Sequence, residues 1–173
     1  MQEQKPITHV QGGLIIAGIL VVASTIIQFM NLSNNPGAGL IQPVVIILGL
    51  LLLIRAYGKA NNYTLSFGNL FAYGFKSTAV FTIISIAFSV IFLLLFPDLK
   101  EKSFEMARQQ MEDNPKLTEE QIDQAIEISR KFFWVGIVGG SMIFMIILGA
   151  IGSLIGAAAT KKQPNNPFIQ ETH

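Results

Sequence analysis

The chain has 173 residues, of which 51% are hydrophobic and only 13% charged, with a formal net charge of +1. One domain is the expectation at this length, and a soluble domain would carry about a quarter charged residues. The balanced charge and the lack of any basic run exclude a nucleic-acid partner, and the absence of cysteine excludes disulfides without identifying a compartment.

The charges are segregated. No Asp, Glu, Lys or Arg lies between Lys5 and Arg55, and further uncharged stretches run from Ser77 to Phe96 and from Phe132 to Thr160. Crossing the hydrocarbon core of a bilayer takes about 20 mostly apolar residues. The first stretch is long enough for two crossings, and it is broken at Asn31-Leu32-Ser33-Asn34-Asn35-Pro36-Gly37-Ala38-Gly39, dense in turn formers. The first helix is therefore predicted over 10–30 and the second over 40–57. The first reads as a retained span: its apolar run is longer than a signal-peptide core, and no small-x-small cleavage site follows cleanly. Pro43 is placed in the first turn of the second helix, where its missing N–H costs little. A soluble helix would show a charged face, which these lack; the segment VVIILGLLLLI after Pro43 is apolar all round.

The third helix is predicted over 69–96, stopped by Pro97. Ser66-Phe67-Gly68 reads as its cap and turn. Thr78, Thr82, Ser85 and Ser89 give it a weak polar stripe of hydroxyls able to bond back to their own helix. The other polar residues in the spans are Gln28, near the end of the first, and Gln42, near the start of the second. Lys76 sits near a helix end, where it can snorkel.

The segment 98–131 holds nine acids and six bases and divides at Asn114-Pro115. Its first half is helical by propensity, with Phe104, Ala107 and Met111 on one face and Arg108 able to pair with Glu112. Its second half opens on Thr118 with Gln121 three residues later, a capping box, with Leu117 and Ile122 around it as a staple. Ile122, Ala125, Ile126, Ser129 and Phe133 then share a side, Glu127 can pair with Lys131, and the helix is expected to run directly into the fourth span. The insert reads as a soluble helical hairpin whose apolar faces pack together. The alternative is a docking surface for a partner or for the lipid surface, for which Phe104, Met111, Glu120, Asp123 and Glu127 are the candidate residues. The last three share a face that reads first as solvated and otherwise as a cation holder.

The fourth span, over 132–160, is rich in small residues: Gly136 and Gly140 in GxxxG spacing, then Gly149, Gly152, Ser153 and Gly156 on one face. Leu against Leu gains nothing over lipid tails, so close helix packing needs such residues. The fourth helix is expected to be the packing hub, meeting the first helix (Gly13, Ala17, Ser24) or the third. A homodimer seam is the other use of such a face.

Four spans place both termini on one side. The uncharged first link, set against Arg55 and Lys59 in the second and Lys161-Lys162 in the tail, puts the termini in the cytoplasm and the insert outside. Six bases in the insert count against this, diluted over a long segment. No Asp, Glu or His sits at mid-membrane, which argues against proton coupling. His9 stands alone at an interface, and with only His173 besides there is no metal ligand set, phosphate loop or nucleophile elbow.

The stretch from Arg55 to Gly74, RAYGKANNYTLSFGNLFAYG, resembles the signature link of a family of four-helix membrane proteins typical of the Bacteroidota, catalogued as domain of unknown function 4199. The resemblance extends to the acidic insert with its central proline and to the glycine-rich last helix ending in Lys-Lys. It implies an inner-membrane location, hence a periplasmic insert, and no activity, cofactor or site residue. The expectation is thus an all-α polytopic membrane protein of four transmembrane helices with a soluble hairpin between helices 3 and 4. It is expected to be non-enzymatic, cofactor-free, and an accessory or scaffold subunit partnered by the bilayer and by other membrane proteins or itself. The alternative is a small oligomeric transporter or channel lined by the hydroxyls of helix 3.

Overall fold

The computed structural model describes residues 6–30, 32, 35 and 37–162. Lys5, His173 and positions 31, 33, 34 and 36 of the expected first turn lie outside them. All regular structure among the described residues is helical. The elements are α1 (His9–Phe29), α2 (Ala38–Ala60), α3 (Phe67–Leu95), α4 (Pro97–Glu112), α5 (Glu119–Lys131) and α6 (Phe133–Ala159). Four of them, α1, α2, α3 and α6, are long and apolar enough to cross a membrane. No more than 33% of the most apolar window in any of these is buried. The large apolar remainder is a surface that water would not tolerate and lipid would.

Local chemistry sets the helix ends. Thr8 caps α1 by accepting from the Gln11 N–H, while the Gln11 side chain accepts from the Thr8 N–H at 3.0 Å. The same reciprocal box joins Thr118 and Gln121 at the start of α5. Pro97 begins α4 as its first residue, where it gives up no helical bond. Pro43 is a correction. Because α2 starts at Ala38, Pro43 lies in the second turn, inside the helix, and offers no N–H to the carbonyl of Gly39 four residues back. A second correction concerns the entry to α6. α5 ends at Lys131, Phe132 leaves helical geometry with φ −103° and ψ 14°, and α6 opens on a short turn followed by a π-helical segment at Gly136–Gly140. Glycine, with no side chain to stack, tolerates the wider π turn.

The link after α2 reverses through two consecutive left-handed residues, Asn62 (φ 53°) and Tyr63 (φ 58°). Asparagine adopts this region readily and tyrosine does not. The arrangement is held by the Tyr63 N–H donating to Gly58 O at 2.8 Å and by the Asn61 side chain donating to Tyr57 O at 2.8 Å.

The chain forms two compact units. One holds Met1–Ile84 and Met145–His173, the other Ser85–Phe144. In the first, the core is Ile16, Ala17, Leu20, Ile46, Leu50, Leu53, Ile54, Leu70, Tyr73, Phe81, Met145 and Ala157. Helices approach closely wherever a glycine faces a side chain. Gly12 receives Leu53, Gly49 receives Ile16, and Gly13 lies against Val80 and the Ser77 carbonyl. In the second unit, α4 and α5 lie side by side and antiparallel, with Phe104, Ile122 and Ile126 buried.

A methyl added at Gly13 would stand 2.8 Å from the Ser77 carbonyl oxygen, backbone that cannot swing aside, whereas at Gly18 it would meet nothing within 4 Å. Gly13→Ala is expected to destabilise the chain by about 1–3 kcal/mol. Gly18→Ala should be neutral or stabilising by up to about 1 kcal/mol, since alanine is the better helix former. Equilibrium unfolding in mixed detergent micelles reads both.

Candidate functional site: helix junctions and the polar insert

The small residues of α6 divide into two groups. Gly149, Gly152, Ser153 and Gly156 are buried. Gly149 faces Thr78 of α3, and Gly152 faces Leu50 of α2 with the Ile47 Cα 3.4 Å from where a Cβ would stand. Gly156 receives Ile54 and lies close to the Leu50 carbonyl. Within the described chain, then, this face meets α2 and α3. The expectation had named the first or third helix, and α2 was not foreseen. Gly136 and Gly140 differ: they fall in the π segment, and a Cβ on either would meet nothing within 4 Å. The wider π turn takes this pair out of regular α-helical register, so GxxxG spacing does not imply a packed seam here.

Ile54 is the centre of the junction. It is fully buried, and its Cδ1 lies 2.6 Å from the would-be Cβ of both Gly74 on α3 and Gly156 on α6. One methyl group therefore occupies the space vacated by two glycines on two helices. Ser153 fills the neighbouring gap, its Oγ 2.7 Å from the position a Gly74 Cβ would take. At one end of the bundle, Tyr57 and Tyr73 stack with ring centroids 3.8 Å apart. The Tyr73 hydroxyl donates to the Ile7 carbonyl at 2.9 Å, which ties the lead-in of α1 to α3. Lys162 lies over the Phe67 ring at the same link.

The hydroxyls of α3 do not behave alike. Thr78 bonds back to Gly74 O, Ser77 to Tyr73 O and Ser89 to Ser85 O. The buried Thr82 and Ser85 hydroxyls, and that of Ser153 on α6, have no hydrogen-bond partner among the described residues. Lys76 is exposed and His9 half-buried in the first turn of α1.

In the second unit, Phe104 is 5% exposed and so offers little to a docking partner. It is covered edge-on by Phe133 at 5.3 Å and by the Arg130 guanidinium at 4.5 Å. Met111 is half-buried; Glu120, Asp123 and Glu127 are exposed. Asp123 is committed to Arg108 at 2.7 Å, and the same guanidinium holds Glu112 at 2.9 Å. The Asp123 hydrogen bond, then Glu112, raises the Arg108 pKa above its already high value. A second cross-helix pair joins Arg130 to Glu101 at 2.6 Å. These exposed pairs fix the antiparallel register more than they stabilise it. The expected Glu127–Lys131 pair is not formed; Lys131 lies over the Phe132 ring instead. No group of three potential metal ligands occurs among the described residues. The cross-helix pairs were missed because the register of α4 on α5 cannot be read from either helix alone.

A family profile described as a protein of unknown function, DUF4199, matches residues 12–162, from within α1 to just past α6. No curated protein and no solved structure matches the chain.

Gly156→Ala should push on Ile54 and lower stability by about 2 kcal/mol, while Ile54→Val alone costs about 1 kcal/mol. If the contact is the one described, the double variant loses less than the sum by about 1 kcal/mol, since valine lacks the offending methyl. Strict additivity in micellar unfolding would contradict the wedge.

Proposed function

The chain belongs to the DUF4199 family, and from that premise we propose a multi-pass inner-membrane protein that acts as a non-enzymatic accessory or scaffold subunit. The supporting observation is the contrast between its parts. Four apolar helices leave most of their surface for lipid, and between the third and fourth lies an antiparallel helix pair held by ion pairs and a small buried cluster. In this reading α4 and α5 form a soluble hairpin on the periplasmic side, and the termini are cytoplasmic. Arg55, Lys59 and Lys161-Lys162 support that orientation. The second reading, a small oligomeric transporter or channel, draws on the unpartnered buried hydroxyls of Thr82 and Ser85. It predicts liposome flux that disappears in a Thr82→Val/Ser85→Val variant.

The absence of cysteine makes the topology directly measurable. A Glu120→Cys variant should react with an impermeant maleimide in cells whose outer membrane alone has been opened. A Lys162→Cys variant should react only after the inner membrane is breached, and the reverse pattern would invert the topology. For the subunit role, purification in mild detergent after crosslinking should retain a defined membrane partner at fixed stoichiometry. A chain that purifies alone and monodisperse would remove this role.

A further inference from the structure

Between α1 and α2 there is a cleft of about 190 Å³ that the helix packing does not use. Leu20, Ile27 and Ile41 form apolar walls, and Gln28 and Gln42 bring two carboxamides to the same space. Gly39 also lines it, and a side chain at Gly39 would meet nothing within 4 Å among the described residues. Gln42 is half-buried, and its side-chain carboxamide has no hydrogen-bond partner among the described residues. An amide facing hydrocarbon without a partner is costly, by several kcal/mol in the limiting case.

Depth identifies what can serve. Gln42 is four residues past the start of α2, about 6 Å along the axis. The 23 residues of α2 extend about 35 Å, set against a hydrocarbon core of about 30 Å. With α2 centred on the bilayer, Gln42 lies roughly 4 Å inside the hydrocarbon boundary, near where glycerol esters meet the acyl chains. Gln28, one residue from the end of α1, lines the same cleft. No charged residue occurs between Lys5 and Arg55, so the cleft carries no formal charge and gives no grip on a phosphate or an ammonium group. What it presents is a neutral amide donor at ester depth, with apolar walls beside it.

We propose that this cleft binds a diacyl glycerolipid by its ester carbonyl, which accepts from the Gln42 carboxamide while the acyl chain lies along Leu20, Ile27 and Ile41. Gln28 borders the opening opposite. Recognition is of the ester and is indifferent to headgroup. The site rests on the membrane-spanning reading of α1 and α2.

The test is native mass spectrometry of the detergent-purified full chain equilibrated with equal amounts of diester and diether phosphatidylcholine of matched chain length. One amide–carbonyl hydrogen bond corresponds to roughly fivefold retention of the diester over the diether. Gln42→Met, which keeps the side-chain volume and removes the donor, should retain the two equally; Ile41→Leu should keep the preference. Equal retention by the unmodified chain overturns the proposal, as does an unchanged preference in Gln42→Met. A preference that follows headgroup, between diester phosphatidylglycerol and diester phosphatidylcholine, with none for ester over ether also overturns it. Resistance to alkaline extraction from membranes, measured on the unmodified chain, reports spanning separately, so equal retention of diester and diether by a chain that remains embedded counts against the cleft alone.

Discussion

The first unit is organised around a single methyl group. Ile54 Cδ1 sits where Gly74 and Gly156 have no side chains, and this lets three helices meet at one level. Lipid tails are as apolar as leucine, so burying Ile54 gains little by transfer; the gain is in close contact that lipid cannot reproduce as well. Such contacts are steep in distance, and glycine, with no side chain, leaves the most room for them. The same logic recurs at Gly12 with Leu53 and at Gly149 with Thr78. Elsewhere the apolar surface is unconstrained, because any residue that dissolves in lipid will serve.

A different balance holds α4 against α5. Phe104, Ile122 and Ile126 are buried there, and Arg108 and Arg130 reach across to Asp123 and Glu101. Under the proposed topology this pair is in water, where removing those three side chains from solvent is itself stabilising. Each half of the chain therefore uses the cohesive force that its proposed solvent allows. Small residues are scarce in α4 and α5 for the same reason that they crowd α6.

Much of the architecture is legible from charge alone, since three stretches empty of ionised side chains and one turn-rich break mark out four apolar helices. The link from Arg55 to Gly74 carries the family, to which the profile match is independent support. The Thr118 box is legible because its two residues lie only three positions apart in sequence. The equivalent Thr8 box has the same T-x-x-Q pattern and could have been found in the same way. Which glycines meet another helix could not be read, because GxxxG spacing is blind to what lies opposite: Gly152 and Gly156 face α2, whereas Gly136 and Gly140 face open space. Ile54 gave no signal, being one branched aliphatic residue among many. Pro43 falls outside the first turn because α2 begins two residues before the predicted start, between the two glycines that suggested a turn.

The hydrogen bond from Tyr73 to the Ile7 carbonyl joins residues 66 positions apart. At ribosomal speeds of about 5–20 residues per second, the donor emerges roughly 3–13 s after the acceptor. During that interval the leading end of the nascent first helix must find its partners among water and lipid headgroups. Release of those temporary partners, as the third helix arrives, is then a step in the chain's own co-translational assembly.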